Sequence, residues 1–271
     1  MAMDVSTKVP FYANRLRSYL LRLPLFTRCI LILIVLAWIV QLIGIWDVLA
    51  WGALTPSKVG LGTMHRLNTY PFIHLGFLHM LLNVLALTPL LERFEAEYGT
   101  LTSVAMFFGP ISTFPGGLYI LIEKVIVGLD NSVAGASGWV FLLSAAEAIK
   151  SRKSNPHFTV GKYRIPTWTT PLIMIIVVSL LVWPASFLGH VCSVVVGYAL
   201  GLGYLKILFP PEKALRWVEG KLNPLAKLPH YVSVDQKTYG RYGILPSDTA
   251  GGGPKPGIAM RYLGSSQRLG P

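Results

Sequence analysis

Apolar runs dominate this chain, and polar positions fall mostly between them. A helix needs about 20 predominantly apolar residues to cross a hydrocarbon layer ~30 Å thick. Six stretches approach that template. The first is "CILILIVLAWIVQLIGIW", Cys29 to Trp46, and the second is "FIHLGFLHMLLNVLALTPLL", Phe72 to Leu91. The third, Leu101 to Ile122, contains Gly109-Pro110 and Pro115 and is expected to kink there. The fourth starts within "NSVAGASGWVFLLSAAEA", Asn131 to Ala148, and runs to about Ile149. The fifth is "TTPLIMIIVVSLLVWPASFLG" and the sixth "HVCSVVVGYALGLGYLKILF", joined through a Trp-Pro turn. Three glutamates, Glu92, Glu95 and Glu97, are assigned to the short connection after the second span.

Lysine and arginine placement orients these spans. The N-terminal arm carries Lys8, Arg15, Arg17, Arg22 and Arg28, the connection "KSRKSNPHFTVGKYR" between spans four and five is basic, and so is the chain after Phe209. The opposite connections hold only Lys58, Arg66 and Lys124. Cytosolic loops carry the excess of lysine and arginine, so both termini are expected in the cytosol. The expected fold class is an all-α membrane protein of six transmembrane helices. It divides into a basic cytosolic arm at 1–28, a membrane core at 29–209 and a flexible basic cytosolic tail at 210–271. The arm segment "NRLRSYLLRLPLFTR" also has the arginine-rich, acid-free character of a mitochondrial presequence. Its shortness and its direct passage into the first span favour a cytosolic flank.

Composition agrees with this reading. Of 271 residues, 53% are hydrophobic and 13% charged, against ~25% charged in soluble domains, and mean hydropathy is +0.54. The net charge of +12 sits between spans and in the tails, without aromatic-interleaved basic runs, and so points to membrane orientation and not to nucleic acid. Cys29 and Cys192 lie in apolar segments and make no disulfide framework, and the six histidines form no H-E-x-x-H pattern. No metal or cofactor is implied.

Polar groups inside spans are costly and mark function by default. His79 and Asn83 are spaced i, i+4 on one face of the second span. Ser137 begins the fourth span and His190 the sixth. With both termini cytosolic, all four fall in the lumenal half of the membrane. A serine and a histidine at one depth suit a nucleophile and its general base. His79, Asn83 and the Ser137 backbone N–H can donate to an oxyanion. Glu147 lies too deep to be a third member, which leaves a Ser-His dyad. Each element also has a structural reading. Membrane serines bond neighbouring backbone, and Gly135 and Gly138 could pack against the small face of Gly197 and Gly201. His74 is assigned to an interhelical hydrogen bond and Glu147 to pairing within the bundle.

Taken together and in order, these motifs resemble the rhomboid family of intramembrane serine proteases, over about Arg66 to Gly201. "HRLNTYPFIHLGFLHMLLNVL" resembles the family's first-loop arginine followed by H-x-x-x-N, "GASG" its G-x-S-G, and "GHVCSVVVG" its sixth-helix histidine motif. The resemblance implies Ser137 as nucleophile, His190 as base, His79 and Asn83 as oxyanion donors, and substrates that are transmembrane segments cut near the lumenal face. Two positions depart from the pattern: His65 stands where tryptophan is usual, and Ser193 where glycine is frequent. The long tail is similar to that of fungal Golgi rhomboids, a group implicated in releasing membrane-anchored transcription factors. "YLGSSQRLG", Tyr262 to Gly270, resembles a box that recruits an AAA+ segregase, with Ser266 in place of glycine. The alternative is a non-catalytic, derlin-like relative that hands membrane substrates to that segregase. A transporter would need paired intramembrane charges or broken repeats, which the sequence lacks.

Overall fold

The computed structural model describes residues 17–181, 186–222 and 224–237. Helix α1, Leu25–Ile43, is apolar apart from Thr27, Arg28 and Gln41 and ends at Gly44, whose φ of +73° is the left-handed cap that glycine adopts without strain. Its first turn has no side-chain cap of its own. A long connection follows, with short helices α2 (Val48–Gly52) and α3 (Arg66–Thr69). Arg66 shapes it by donating to the carbonyls of Ala53 and Ala50, both at 2.7 Å. His65, where the family pattern has tryptophan, stacks on Trp51 with ring centroids 4.7 Å apart.

Helix α4, Phe77–Tyr98, turns at Gly99 (φ +88°) directly into α5, Thr100–Phe107. The three glutamates expected in a connection therefore lie inside α4, and the connection shrinks to one glycine. The reason is tertiary. Glu95 is fully buried and accepts hydrogen bonds from Phe26 N (2.8 Å), Thr27 N (2.8 Å), Thr27 Oγ1 (2.9 Å) and Thr100 Oγ1 (2.6 Å). It supplies the N-cap that α1 lacks, with its charge at the positive end of the helix dipole. The third predicted span is interrupted where expected, at Gly109-Pro110: α5, Thr100–Phe107, gives way to α6, Pro110–Ile120, which continues into a wide π-helical stretch, Leu121–Val127, and the whole run counts as one span.

Helix α7, Ser137–Ser151, lies at the centre, with Trp139 to Leu143, Ala145, Ala146, Ala148 and Ile149 all buried. The basic connection after it forms a two-stranded hairpin, β1 (His157–Val160) and β2 (Tyr163–Pro166), with Val160 paired to Tyr163 across Gly161-Lys162. Its alternation is too short to be read against a helical background. Helices α8, Thr170–Leu181, and α9, Phe187–Leu202, complete the bundle. The Trp-Pro turn expected between them lies outside the described residues.

The expected small face exists, but its partners differ. Cβ atoms placed on Gly197 and Gly201 would lie 2.2 Å from the Leu142 carbonyl oxygen and 2.7 Å from that of Ala146, while one on Gly138 would lie 3.1 Å from Ser193 Oγ. The pairs 138/193, 142/197 and 146/201 share a constant offset of 55 positions, so α7 and α9 run parallel, backbone to backbone. Gly135 is not part of this seam.

By length and apolar composition, Leu25–Ile43, Phe77–Tyr98 and the run Thr100–Val127 can each cross a membrane. The other apolar helices are shorter, at 15 residues for α7, 12 for α8 and 16 for α9. The tail expected to lack structure from Pro210 onward instead carries helix α10, Glu212–Lys221. Residues beyond it return to the bundle: Leu25 N donates to His230 O and Thr100 N to Val232 O, both at 2.9 Å. Two helix starts are thereby capped by tail carbonyls, contacts to residues more than 130 positions away that no local pattern encodes.

Candidate active site

Ser137 opens α7 because the chain before it is extended and pinned. Leu54 and Val133 exchange both backbone hydrogen bonds at 2.9 Å, and Gly135 N donates to Tyr70 O at 2.9 Å. Asn131 is held from two sides, by Tyr119 Oη on its carbonyl (2.8 Å) and by Glu123 Oε1 on its amide (2.6 Å). Asp130 receives the N–H and hydroxyl of Ser57, which hold its carboxyl below the usual range. Non-helical backbone beside apolar helices is tolerated where protein satisfies it or it lines a cavity, and here both conditions hold. That is why a Gly-Ala-Ser-Gly stretch can sit at the mouth of an apolar helix.

The hydroxyl so placed faces an imidazole. Ser137 Oγ lies 2.9 Å from His190 Nε2. His190 occupies the first turn of α9, which is capped by Ser186 through Gly189 N at 3.1 Å. Its ring packs on Phe141 with centroids 4.3 Å apart, and 5% of the residue is exposed. Nδ1 of His190 is buried with no protein partner among the described residues. Glu147 is engaged elsewhere with Lys150, at 3.3 Å, and Lys150 in turn with Glu97 at 2.7 Å.

Of the expected oxyanion donors, His79 sits against Gly135. A Cβ there would lie 2.8 Å from His79 Cε1, and φ at Gly135 is +117°, so glycine is required twice over. Asn83 donates one amide hydrogen to His79 O at 2.8 Å, and its second remains for another acceptor. The N–H of Ser137 belongs to the first helical turn, where no preceding carbonyl serves it. His74, assigned to an interhelical bond, makes a structural bond of that kind to this segment: fully buried, its Nε2 accepts from Ala136 N at 3.2 Å. Nothing in its spacing revealed that partner, which lies 62 positions away.

All four site residues line one cavity of about 660 Å³. Apolar side chains of two helices line it, Leu78, Leu82 and Ala86 of α4 and Met174 and Val178 of α8. The geometry can deprotonate a hydroxyl, direct it into the cavity and present donors to a developing negative charge. No group of three or more histidine, cysteine, aspartate or glutamate residues suited to a metal occurs among the described residues.

Comparison with known proteins matches residues 61–207 to the Rhomboid domain model. The chain is 60% identical over 263 residues to "Rhomboid-type serine protease B" of Aspergillus fumigatus, covering 97% of both chains. It is 54% identical over 266 residues to "Rhomboid-type serine protease 2" of Neurospora crassa, covering 97% of this chain and 96% of that one. A Saccharomyces cerevisiae protein with the same description is 34% identical over 180 residues, covering 65% of this chain and 68% of its own.

Proposed function

The chain belongs to the rhomboid family of intramembrane serine proteases, and on that premise we propose that Ser137 and His190 are its catalytic dyad. As a multi-pass membrane peptidase it acts on transmembrane substrates in the bilayer. The observation that carries the proposal is the 2.9 Å contact between Ser137 Oγ and His190 Nε2 at the wall of a cavity. His190 Nε2 takes the hydroxyl proton as Oγ bonds to the scissile carbonyl carbon. The oxyanion is met by His79, the free amide hydrogen of Asn83 and the Ser137 N–H. Collapse breaks the C–N bond and the amine leaves with the proton from His190. Water, deprotonated by the same imidazole, then releases the acyl group and restores the serine.

Six spans with both termini in the cytosol place this chemistry toward the lumen, and the basic residues support that orientation. Ser137 starts α7, whereas Lys150 and Arg152 follow at its other end. A Golgi location and a role in releasing membrane-anchored transcription factors are part of the proposal and rest on the likeness to fungal relatives. Recruitment of an AAA+ segregase would use Tyr262 to Gly270, which lie outside the described residues. The non-catalytic derlin-like alternative is disfavoured because both reacting groups are present and in contact. Labelling by a fluorophosphonate probe in detergent tests the dyad. The wild type is expected to label, and Ser137→Ala and His190→Ala are expected not to. Equal labelling of Ser137→Ala overturns the assignment.

A further inference from the structure

Beyond α9 the chain turns sharply. The axis of Tyr204–Lys221 lies at 87° to that of Phe187–Leu202. Transmembrane helices tilt by about 20° from the bilayer normal on average, so a segment at right angles to one runs along the membrane plane. Helix α10 within it has two unlike faces. On one, Leu215 is buried, Glu219 accepts from Tyr231 Oη and Val234 N, and Glu212 pairs with Lys237 and Arg216. On the other, Lys213, Trp217 and Lys221 fall at i, i+4 and i+8, within about 80° of arc. Trp217 is 65% exposed and both lysines are exposed. Upstream of α10, Tyr204, Lys206 and Ile207 are exposed as well, the last at 89%.

We propose that α10 is an interfacial anchor whose Lys213–Trp217–Lys221 face docks on the anionic headgroups of the leaflet at which α9 ends. The carboxylates of the helix, Glu212 and Glu219, are engaged with Lys237, Arg216, Tyr231 and Val234 on the other face, so the Lys213–Trp217–Lys221 strip carries cations alone. An indole is favoured at headgroup level, and each lysine near an anionic surface contributes attraction to it. Lysine is depleted from the centres of protein interfaces, which favours lipid over a protein partner or a second copy. The anchor is tied to the bundle, because Glu219 holds Tyr231 and Val234, and the carbonyls of the neighbouring His230 and Val232 cap α1 and α5. The inference stands independently of the peptidase assignment.

The test uses the full chain carrying Cys29→Ser and Ala214→Cys, labelled with bimane at position 214 and placed in nanodiscs with or without phosphatidylserine. Position 214 borders the proposed face and leaves Trp217 in place. With phosphatidylserine, quenching by headgroup-level nitroxide lipids and shielding from aqueous iodide are expected. Adding Lys213→Gln and Lys221→Gln is expected to lower the docked-to-undocked ratio roughly 30-fold. Equal iodide access with and without phosphatidylserine overturns the proposal. Shielding from both quenchers regardless of lipid also overturns it, by showing a protein on this face. Acylation of Lys213 and Lys221 by a water-soluble ester, read by mass spectrometry without a label, is expected to slow when phosphatidylserine is present, and an unchanged rate counts against docking.

Discussion

Gly197 on α9 approaches Leu142 on α7 so closely that a Cβ at position 197 would lie 2.2 Å from the Leu142 carbonyl oxygen. That atom is backbone in the middle of a buried helix and cannot step aside. The seam sets the register of the two helices that carry Ser137 and His190. Gly197→Ala is expected to cost about 3 kcal/mol, the upper end for overpacking, and to reduce peptidase activity at least as strongly as stability. Chemical denaturation in micelles, paired with a model-substrate cleavage assay, checks both. Ser193→Gly, at the looser end of the seam, is expected to leave both readouts nearly unchanged.

Asn83 is buried and gives only one of its amide hydrogens to His79 O. Asn83→Ala is expected to lower kcat by about 10²-fold, the lower range for loss of one oxyanion donor. That is less than the loss on Ser137→Ala, since His79 and the Ser137 N–H remain. Fluorophosphonate labelling should persist at a reduced rate. A loss equal to that of Ser137→Ala in a folded variant would reject this division of roles.

Glu95 meets two backbone N–H groups and two hydroxyls from α1 and α5. Glu95→Ala leaves buried donors unmatched, each costing ~1–3 kcal/mol, and is expected to destabilise by about 3 kcal/mol or more. Glu95→Gln keeps one acceptor oxygen and is expected to lose about half as much. Unfolding curves of the two variants, measured side by side, test the ordering.

The tail separates into two parts with different expected effects. Truncation after Lys237 should leave stability and peptidase activity as they are. Truncation after Phe209 removes the carbonyls of His230 and Val232 from the starts of α1 and α5, and is expected to cost about 2 kcal/mol at ~1 kcal/mol per hydrogen bond. Deletion of Tyr262 to Pro271 should spare activity in detergent and weaken capture of the AAA+ segregase; undiminished capture would exclude the box.

The residues that meet at the candidate site were legible in the chain because their signals are local. His79 and Asn83 share a helical face through a four-residue spacing. Ser137 and His190 stand out as polar groups at the starts of apolar segments, where burial makes them costly. The order of apolar segments likewise anticipated helices α1, α4, α7, α8 and α9. Glu95 was misplaced into a connection because a carboxylate near the end of an apolar run looks like a loop residue until its partners are known. The hairpin at 157–166 was missed for a related reason: its deciding contacts are absent from helical periodicity, whereas Gly109-Pro110 marked the interruption of the third span locally.

By itself, the sequence determined which chemical groups lie within the apolar segments, on which segments, and in what order. Those properties follow from side-chain chemistry and from a fixed helical repeat, and they need no partner. Tertiary structure alone decided that His74 steadies Ala136, that Glu95 and two tail carbonyls cap distant helices, and that α7 and α9 meet backbone to backbone. Such contacts join positions 55 to more than 200 residues apart. Their partners are chosen by packing and by the need to satisfy buried donors, not by neighbours along the chain.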